Sequence, residues 1–595
     1  MLKKILFILT ASERKFALLL LFMILIMAFL DMLGVASIMP LITILTNPEI
    51  IDENLILKNF FEATTIFGIQ TKQQFILIFG ICVFILLIFT LAFKALTIYM
   101  QIRFSTMREY SIGKRLVEGF LHQPYSWFLN RHSADLGKTV LSEVSLVISH
   151  GVKPIMNLIT YCTITIMLIG LLIVVDPKLS IIVGLILGLA YGFIYKFSRN
   201  FLKRIGEERM KANEDRFRVI TEAFGAAKEI KVDGLEDVYT KRFSSPAKTA
   251  AKHAASAQLI GTLPRYFLEA IAFGGMVLMV LYLMTQSGTF IEALPIISVF
   301  AFAGYRLMPA LQQIYVSLSQ LRYIGSSLDT LYEDLKSFNI DYQNTYTKSL
   351  ALNKEIALKN IEYSYPNSSR LALKNINITV PANNTVGIVG ATGSGKTTLV
   401  DIILGLFETQ NGTLEIDGQI INKQNCKNWQ KSIGYVPQQI FLADDTVAAN
   451  IAFGVDPKDI DIQNVERAAK IANLHEFVTN ELPNKYNTTI GERGIRLSGG
   501  QCQRIGIARA LYHNPKVLIL DEATSSLDNL TEKAVMEAVN NIGKNLTIII
   551  IAHRLSTVKN CDIIFLLDKG ELKGQGKFDE LIQTSNIFKL TASKI

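Results

Sequence analysis

Apolar residues are spread unevenly along the chain. Long, nearly unbroken runs fill roughly the first half, and short runs of strand or helix length follow in the second. Six long runs stand out: Phe16–Leu45, Phe75–Met100, Ile155–Val175, Leu179–Tyr195, Tyr266–Met284 and Pro295–Val316. A helix needs about 20 residues to cross a hydrocarbon core of ~30 Å, and each run comes close to that. The stretch from Phe75 to Phe93 carries no charge at all. The pattern predicts a membrane domain of six helices over residues 1–335, a polar linker over 336–353 and a separate globular domain over 354–595.

Basic residues orient the spans. Lys3, Lys4, Arg14 and Lys15 precede the first run, Arg103, Arg108, Lys114, Arg115, Arg131 and Lys138 follow the second, and Lys196, Arg199, Lys203 and Arg204 follow the fourth. The loops after the first, third and fifth runs hold few, so the positive-inside rule puts both termini in the cytoplasm. The inside segments 101–153 and 196–262 are charged, helical in pattern and too long for turns. They predict helices that continue into the cytosol and reverse near His132–Gly137 and Gly225–Asp233; the short reversing pieces either touch the second domain or belong to solvated hairpins with no coupling role, and the spacing fits both. In the first outside loop, Asn47–Gln74, the residues Ile56, Leu57, Phe60, Phe61 and Phe67 recur at helical spacing. This is a short amphipathic helix, either lying on the membrane interface or outer mouth or packed on the bundle.

The net charge of +9 over 595 residues belongs with this topology rather than with nucleic acid, since much of it flanks the spans. The five cysteines show neither disulfide nor metal spacing. Met1–Thr10 is too short and too weakly apolar for a cleaved signal peptide. Ionisable groups at membrane depth face a cavity or a partner. Asp31, Lys94, Arg265, Glu269 and Arg306 fall there. Two arrangements are open: Lys94, Arg265 and Arg306 line a cavity suited to a phosphate or pyrophosphate group, or they pair internally with Asp31 and Glu269. Snorkelling would explain them if the spans sit lower.

The second half carries chemistry. Gly390-Ala391-Thr392-Gly393-Ser394-Gly395-Lys396-Thr397 fits the phosphate-cradling pattern G-x-x-x-x-G-K-[ST]. A strand-like run, Thr385 to Val389, precedes it, and a helix pattern from Thr398 to Leu406 follows. Backbone N–H groups there turn toward phosphate oxygens at a helix N-terminus. Lys396 reaches phosphates and the Thr397 hydroxyl suits Mg²⁺. Strand patterns at Ile356–Leu358 and Ile376–Val380 frame Tyr365, an aromatic face for adenine. Four further elements follow in order. Gln438 ends a strand and suits contact with Mg²⁺ and water. Leu497-Ser498-Gly499-Gly500-Gln501 opens a helix. Asp521 and Glu522 close an apolar strand, one placed for Mg²⁺ and one to polarise the attacking water. His553 ends another apolar run.

Together these elements resemble the ATP-binding cassette. The resemblance covers about residues 350–590, with Leu497 to Gln501 as its most specific signature. It implies an α/β P-loop domain that binds ATP and Mg²⁺. In that pattern Tyr365 stacks on adenine; Gly390, Thr392, Gly393, Ser394, Gly395, Lys396, Thr397 and Thr398 hold the nucleotide; Thr397, Gln438 and Asp521 serve the metal. Ser498 is the signature serine, with Gly499, Gly500 and Gln501 beside it, and Asp528 is the D-loop residue. Glu522 is the catalytic carboxylate and His553 the switch histidine, and Glu492 matches the loop that meets the membrane helices. Such cassettes work in head-to-tail pairs, so one cassette with six spans looks like a half-transporter, most simply a homodimer in a bacterial inner membrane. The membrane half resembles type IV exporters. More narrowly, Lys94, Pro264 to Glu269, Tyr305 to Pro309 and the outside helix resemble the flippase of lipid-linked oligosaccharides in bacterial protein N-glycosylation. That likeness gives Lys94, Arg265 and Arg306 the pyrophosphate and sugars of a polyprenyl-linked glycan. Exporters of peptides, amphiphilic drugs or another lipid are the alternative.

Overall fold

A computed structural model describes the chain except residues 1, 66–70, 288–289, 339–348, 367, 369, 492–493, 523–528, 541–545, 553–554, 586–587 and 590–595. The described residues form two compact units, 1–123 with 130–341, and 124–129 with 342–595.

The first unit is helical. Its principal helices are α1 (Ala11–Ala36), α2 (Lys72–Leu121), α3 (Lys153–Val175), α4 (Pro177–Gly225), α5 (Glu236–Ser287) and α6 (Phe290–Tyr323). Their starts follow local chemistry. Thr10 with Glu13 and Thr71 with Gln74 form reciprocal capping boxes on α1 and α2, and Asp176 caps α4 with Pro177 in its first turn. Among the described residues four stretches are long and apolar enough to cross a membrane, at Ala11–Thr46, Lys72–Leu121, Ala134–Val175 and Pro177–Gly225. The fifth and sixth runs lie on α5 and α6, where many side chains fall outside the described residues.

The inside extensions are continuous with the spans: α2 has 50 residues, α4 has 49 and α5 has 52. The first reversal comes earlier than His132–Gly137. Helix α2 stops at Leu121, and a short helix, Tyr125–Phe128, precedes the next at Ser133–Lys138. The cause is Pro124, which lacks an N–H and pushes Gln123 out of helical geometry. This short helix groups with the second unit, its Tyr125 ring 5.7 Å from that of Phe407. The second reversal falls at Ala227–Asp233, closed by Gly234 in the left-handed region. The outside loop holds a helix, Leu55–Thr65. Its Leu57 and Phe61 pack with Ile44, Ile51 and Phe75, while Phe60 is exposed. Phe67 lies outside the described residues.

The second unit contains two sheets. Strands β1 (Glu355–Ser364), β2 (Leu371–Pro381), β4 (Asn411–Ile416) and β5 (Gln419–Ile420) form an antiparallel sheet in the order β2-β1-β4-β5. The first two outrun their predicted cores because bulges let pairing continue past polar interruptions. Strands β3 (Thr385–Gly390), β6 (Ile433–Val436), β7 (Val517–Asp521), β8 (Thr547–Ile551), β9 (Ile563–Asp568) and β10 (Glu571–Gly576) form the other, in the order β10-β9-β3-β8-β7-β6. All its pairs are parallel except β9 with β10. Every residue of β7 and β8 is buried, which explains their unbroken apolar sequence. This arrangement gathers the ends of β3, β6 and β7 along one edge of the sheet, where α/β folds bind ligands.

Close helix crossing in the first unit depends on Gly206. A Cβ there would sit 2.1 Å from the Tyr323 carbonyl oxygen, whereas Gly113 has nothing within 4 Å of that position. Alanine in a helix gains about 1 kcal/mol over glycine, and overpacking costs about 1–3 kcal/mol. Thermal unfolding in detergent should therefore show Gly113→Ala neutral or stabilised and Gly206→Ala destabilised by about 1 kcal/mol; equal effects would deny the close crossing.

Candidate functional site

The phosphate loop leaves β3 at Gly390 and enters helix α8 (Lys396–Ile403), which follows α7 (Gly325–Ser337) in the labelled order. Gly395 at its start has φ +103°, and a Cβ there would lie 2.9 Å from the Leu373 side chain and 3.0 Å from the Ala372 oxygen. Only glycine suits that position. Lys396 is buried, and its ammonium donates to the backbone oxygens of Gly390 (2.9 Å) and Ala391 (3.2 Å). Burial lowers its pKa, opposed by the carboxylates of Glu522 and Asp521. Ser394 is buried inside the loop, and its hydroxyl has no hydrogen-bond partner among the described residues. An unpartnered hydroxyl and a lysine satisfied only by loop carbonyls fit a ligand rich in acceptor oxygens. Thr392 and Thr397 are exposed at the loop. The Tyr365 hydroxyl meets that of Thr398 at 2.9 Å, and its ring stands edge-on to Tyr363 and Phe407. Tyr365 is thereby tied to the first turn of α8.

Two carboxylates face this loop. Asp521 closes β7 and is buried, with the Tyr435 hydroxyl donating to it at 3.4 Å. Glu522 follows with φ +51°, a left-handed conformation costly for a side chain with a Cβ, and its N–H donates to the Ile551 oxygen. The strain turns its carboxylate toward Gln438, whose amide donates to Glu522 Oε2 at 2.7 Å. Thus Gln438, Asp521, Glu522 and Lys396 stand together. Ser498 does not join them: its hydroxyl and Gln501 form a capping box on α9 (Gly499–Tyr512), which also begins at Gly499 and Gly500. The S-x-x-Q spacing signals that cap. Asp528, His553 and Glu492 lie outside the described residues.

Two further residues belong to the site. Tyr435 comes from β6, and Asp401 from α8. Burial, then the neighbouring Asp521 charge, pushes the Asp401 carboxyl up to about 6. Its signal in sequence was its place on the helix that follows the phosphate loop.

In the membrane unit, Asp31 is buried and shared. Lys94 donates to its Oδ2 at 3.3 Å, while Arg306 stands 3.1 Å from Oδ1 in an ion pair without hydrogen-bond alignment. Arg265 pairs with Glu269 at 2.5 Å. This pair lines a cavity of about 160 Å³ with Tyr191, Gln312 and Gln313. The three cations are therefore split between two places rather than gathered in one, and each has a carboxylate partner.

The raised Asp401 carboxyl predicts a pH-dependent stability. An unfolded Asp ionises near pH 3.9. Below that both states are protonated and nothing is lost; as pH rises toward 6 the unfolded chain ionises first and stability falls, the loss being complete above about 6. Asp401→Asn should raise the thermal midpoint at pH 8 and show a gain that shrinks toward zero by about pH 4. A gain independent of pH would refute this.

The chain matches known proteins in both halves. The ABC transporter transmembrane region model matches residues 54–307, and the ABC transporter model matches residues 373–525. An ATP-dependent lipid A-core flippase of Cupriavidus pinatubonensis is 31% identical over 80% of this chain and 80% of its own length. A leukotoxin translocation ATP-binding protein of Mannheimia glucosida is 30% identical over 84% of this chain and 70% of its own. The solved structure of a bacterial Atm1-family ABC exporter with ATP bound aligns with a TM-score of 0.77 at 22% identity, covering 98% of this chain and 99% of that one, which is a likeness of fold. With a helical membrane domain joined to a cassette whose loop, lysine and carboxylates meet at one sheet edge, this chain belongs to the ABC transporters, membrane proteins that couple ATP hydrolysis to transport.

Proposed function

We propose that the chain is an ATP-driven flippase that moves a polyprenyl-pyrophosphate-linked oligosaccharide, or a similar lipid-linked glycan, across a bacterial inner membrane by alternating access. The observation that carries this reading is the charge balance around Asp31. Two cations, Lys94 and Arg306, share one buried carboxylate, which leaves one positive charge over. An unbalanced charge at membrane depth is costly. An anionic head group that docks there offsets that cost, and a pyrophosphate suits it. Arg265, beside Tyr191, Gln312 and Gln313, adds donors suited to sugar hydroxyls. Relatives named as lipid A-core flippases support a lipid cargo. Those named as toxin translocators support the second reading, a peptide exporter, beside amphiphilic drugs or another lipid as cargo.

The cassette residues divide the work of hydrolysis. Bound ATP with Mg²⁺ supplies the phosphoryl group whose transfer to water drives the cycle. Gly390, Gly393, Ser394 and Gly395 shape the loop that cradles phosphate, with Thr392 and Thr398 flanking it, and Lys396 exchanges its carbonyl partners for phosphate oxygens. Thr397, Gln438 and Asp521 would hold Mg²⁺, an oxygen set of the kind that ion prefers. The Glu522 carboxylate accepts the proton of the attacking water, and Gln438 orients it. Tyr365 receives the adenine, and His553 and Asp528 complete the pattern. Ser498, Gly499, Gly500 and Gln501 close over the loop of a second copy, so the working unit is a homodimer with cytoplasmic termini. Closing and opening of that dimer switches the membrane helices between inward and outward states.

Reconstituted liposomes test both halves. Glu522→Gln should lower phosphate release by about 10²–10⁴-fold while nucleotide still binds; hydrolysis near wild type would remove Glu522 from its role. Replacing Lys94, Arg265 and Arg306 together by Gln should lower the number of glycans flipped per ATP by about tenfold or more. Wild-type protein that hydrolyses ATP but never moves the polyprenyl-linked glycan would overturn the cargo, with peptides tested next.

A further inference from the structure

A cavity of about 210 Å³ lies between α2 and α3, lined by Lys94, Gln101, Lys153, Asn157, Thr160 and Tyr161 among others. Two contacts set the helix register. The Gln101 amide donates to the Thr160 hydroxyl at 2.8 Å, and Phe104 packs with Met156. Moving forward along α2 therefore moves backward along α3, so the helices run antiparallel. Lys94 and Lys153 then lie on opposite sides of the Gln101–Thr160 contact, each about two turns away. At ~1.5 Å rise per residue their Cα positions are on the order of 20 Å apart along the helix axes, and both side chains reach the one cavity between. Between them the polar lining is neutral: amides from Gln101 and Asn157 and hydroxyls from Thr160 and Tyr161.

The two cations differ in commitment. Lys94 is held by Asp31, together with Arg306. Lys153 is exposed at the first residue of α3, on the side of the inside segments, and stands in no ion pair among the described residues. A cation without a counter-ion at one end of a slot, a cation pair around a single carboxylate at the other, and neutral donors and acceptors between them describe a graded path for an anion. Lys153 is reached first and gives up its solvation cheaply, whereas the Asp31 cluster offers the drier and stronger site.

We propose that this slot is an intake for the phosphate-bearing head group of the cargo, with Lys153 as the receiving residue and Lys94 with Arg306 as the second station. The proposal rests on the flippase reading above and adds to it a residue, Lys153, that the transport cycle does not otherwise use. Lys153 acts on capture and sets how much lipid is needed, whereas the Asp31 cluster acts on the step that moves it. The shared chemistry is a pyrophosphate, whether free or carried by a lipid.

Binding of a polyprenyl pyrophosphate without glycan, and of inorganic pyrophosphate, to the full-length protein in detergent separates these cases. Lys153→Gln should weaken lipid binding about fivefold to tenfold, as expected for one partly solvated charge contact, and raise the lipid concentration for half-maximal flipping in liposomes by the same factor, with the rate at saturation within about twofold. Lys153→Arg should restore binding, which a merely structural role for the exposed lysine would not require. Equal binding by wild type and Lys153→Gln would overturn the slot and leave the flippase reading intact. Binding of inorganic pyrophosphate as tight as that of the lipid would overturn the lipid as the source of the anion. Wild type that binds no polyprenyl pyrophosphate would bring down the cargo reading and the slot with it.

Discussion

A peptide group in hydrocarbon has no water to bond to, and the first unit is built around that fact. A continuous helix answers it by bonding every N–H to a carbonyl in the preceding turn. Helices α2, α4 and α5 keep the answer well beyond the membrane. At ~1.5 Å per residue each runs roughly 75 Å, over twice a ~30 Å hydrocarbon core. Helices α2 and α4 hold no proline beyond the first turn and can carry a rotation along their length, whereas α5 has Pro246 and Pro264 inside it, each lacking the N–H that would bond the preceding turn. The rods stop where the backbone is released by a specific residue: Pro124 beyond α2, and Gly225 with Gly234 around the short helix Ala227–Asp233.

The same constraint decides what could be read from the sequence. Spans are legible because hydrocarbon excludes charge over a fixed length, and the phosphate loop is legible because its glycines and lysine leave little choice. The α/β order of the cassette follows from apolar strands that close on Asp521 and Glu522. Other features depend on contacts between distant parts of the chain. The charged residues of the membrane helices were visible as types, but the sharing of Asp31 by Lys94 and Arg306 depends on how three helices pack. The first reversal is set by a local residue, Pro124, which interrupts a charged helical pattern that otherwise continues past residue 101. Ser498 and Gln501 stand as a helix cap within one copy, and the proposed function gives the same two residues a nucleotide contact in the dimer.

At the cassette, backbone geometry and electrostatics meet. The chain reverses hand at Glu522 just where β7 ends, and this places an acid beside Gln438 rather than in the core. The carboxylates of Asp521 and Glu522 act on the Lys396 ammonium, and that of Asp521 acts on the Asp401 carboxyl. Burial of Asp401 weakens the fold at neutral pH, a local cost of the kind that functional sites carry.

The double pairing of Asp31 bears on inheritance as well as on structure. A buried carboxylate with one partner is lost to a single mutation, because removing the partner strands a charge at a cost of about 3–5 kcal/mol. Asp31 has two partners, on α2 and on α6. Either one neutralises it when the other changes. Descendants of this gene can therefore exchange Lys94 or Arg306 one at a time without passing through an unstable ancestor. The two cations are free to drift one at a time while the anion between them stays covered.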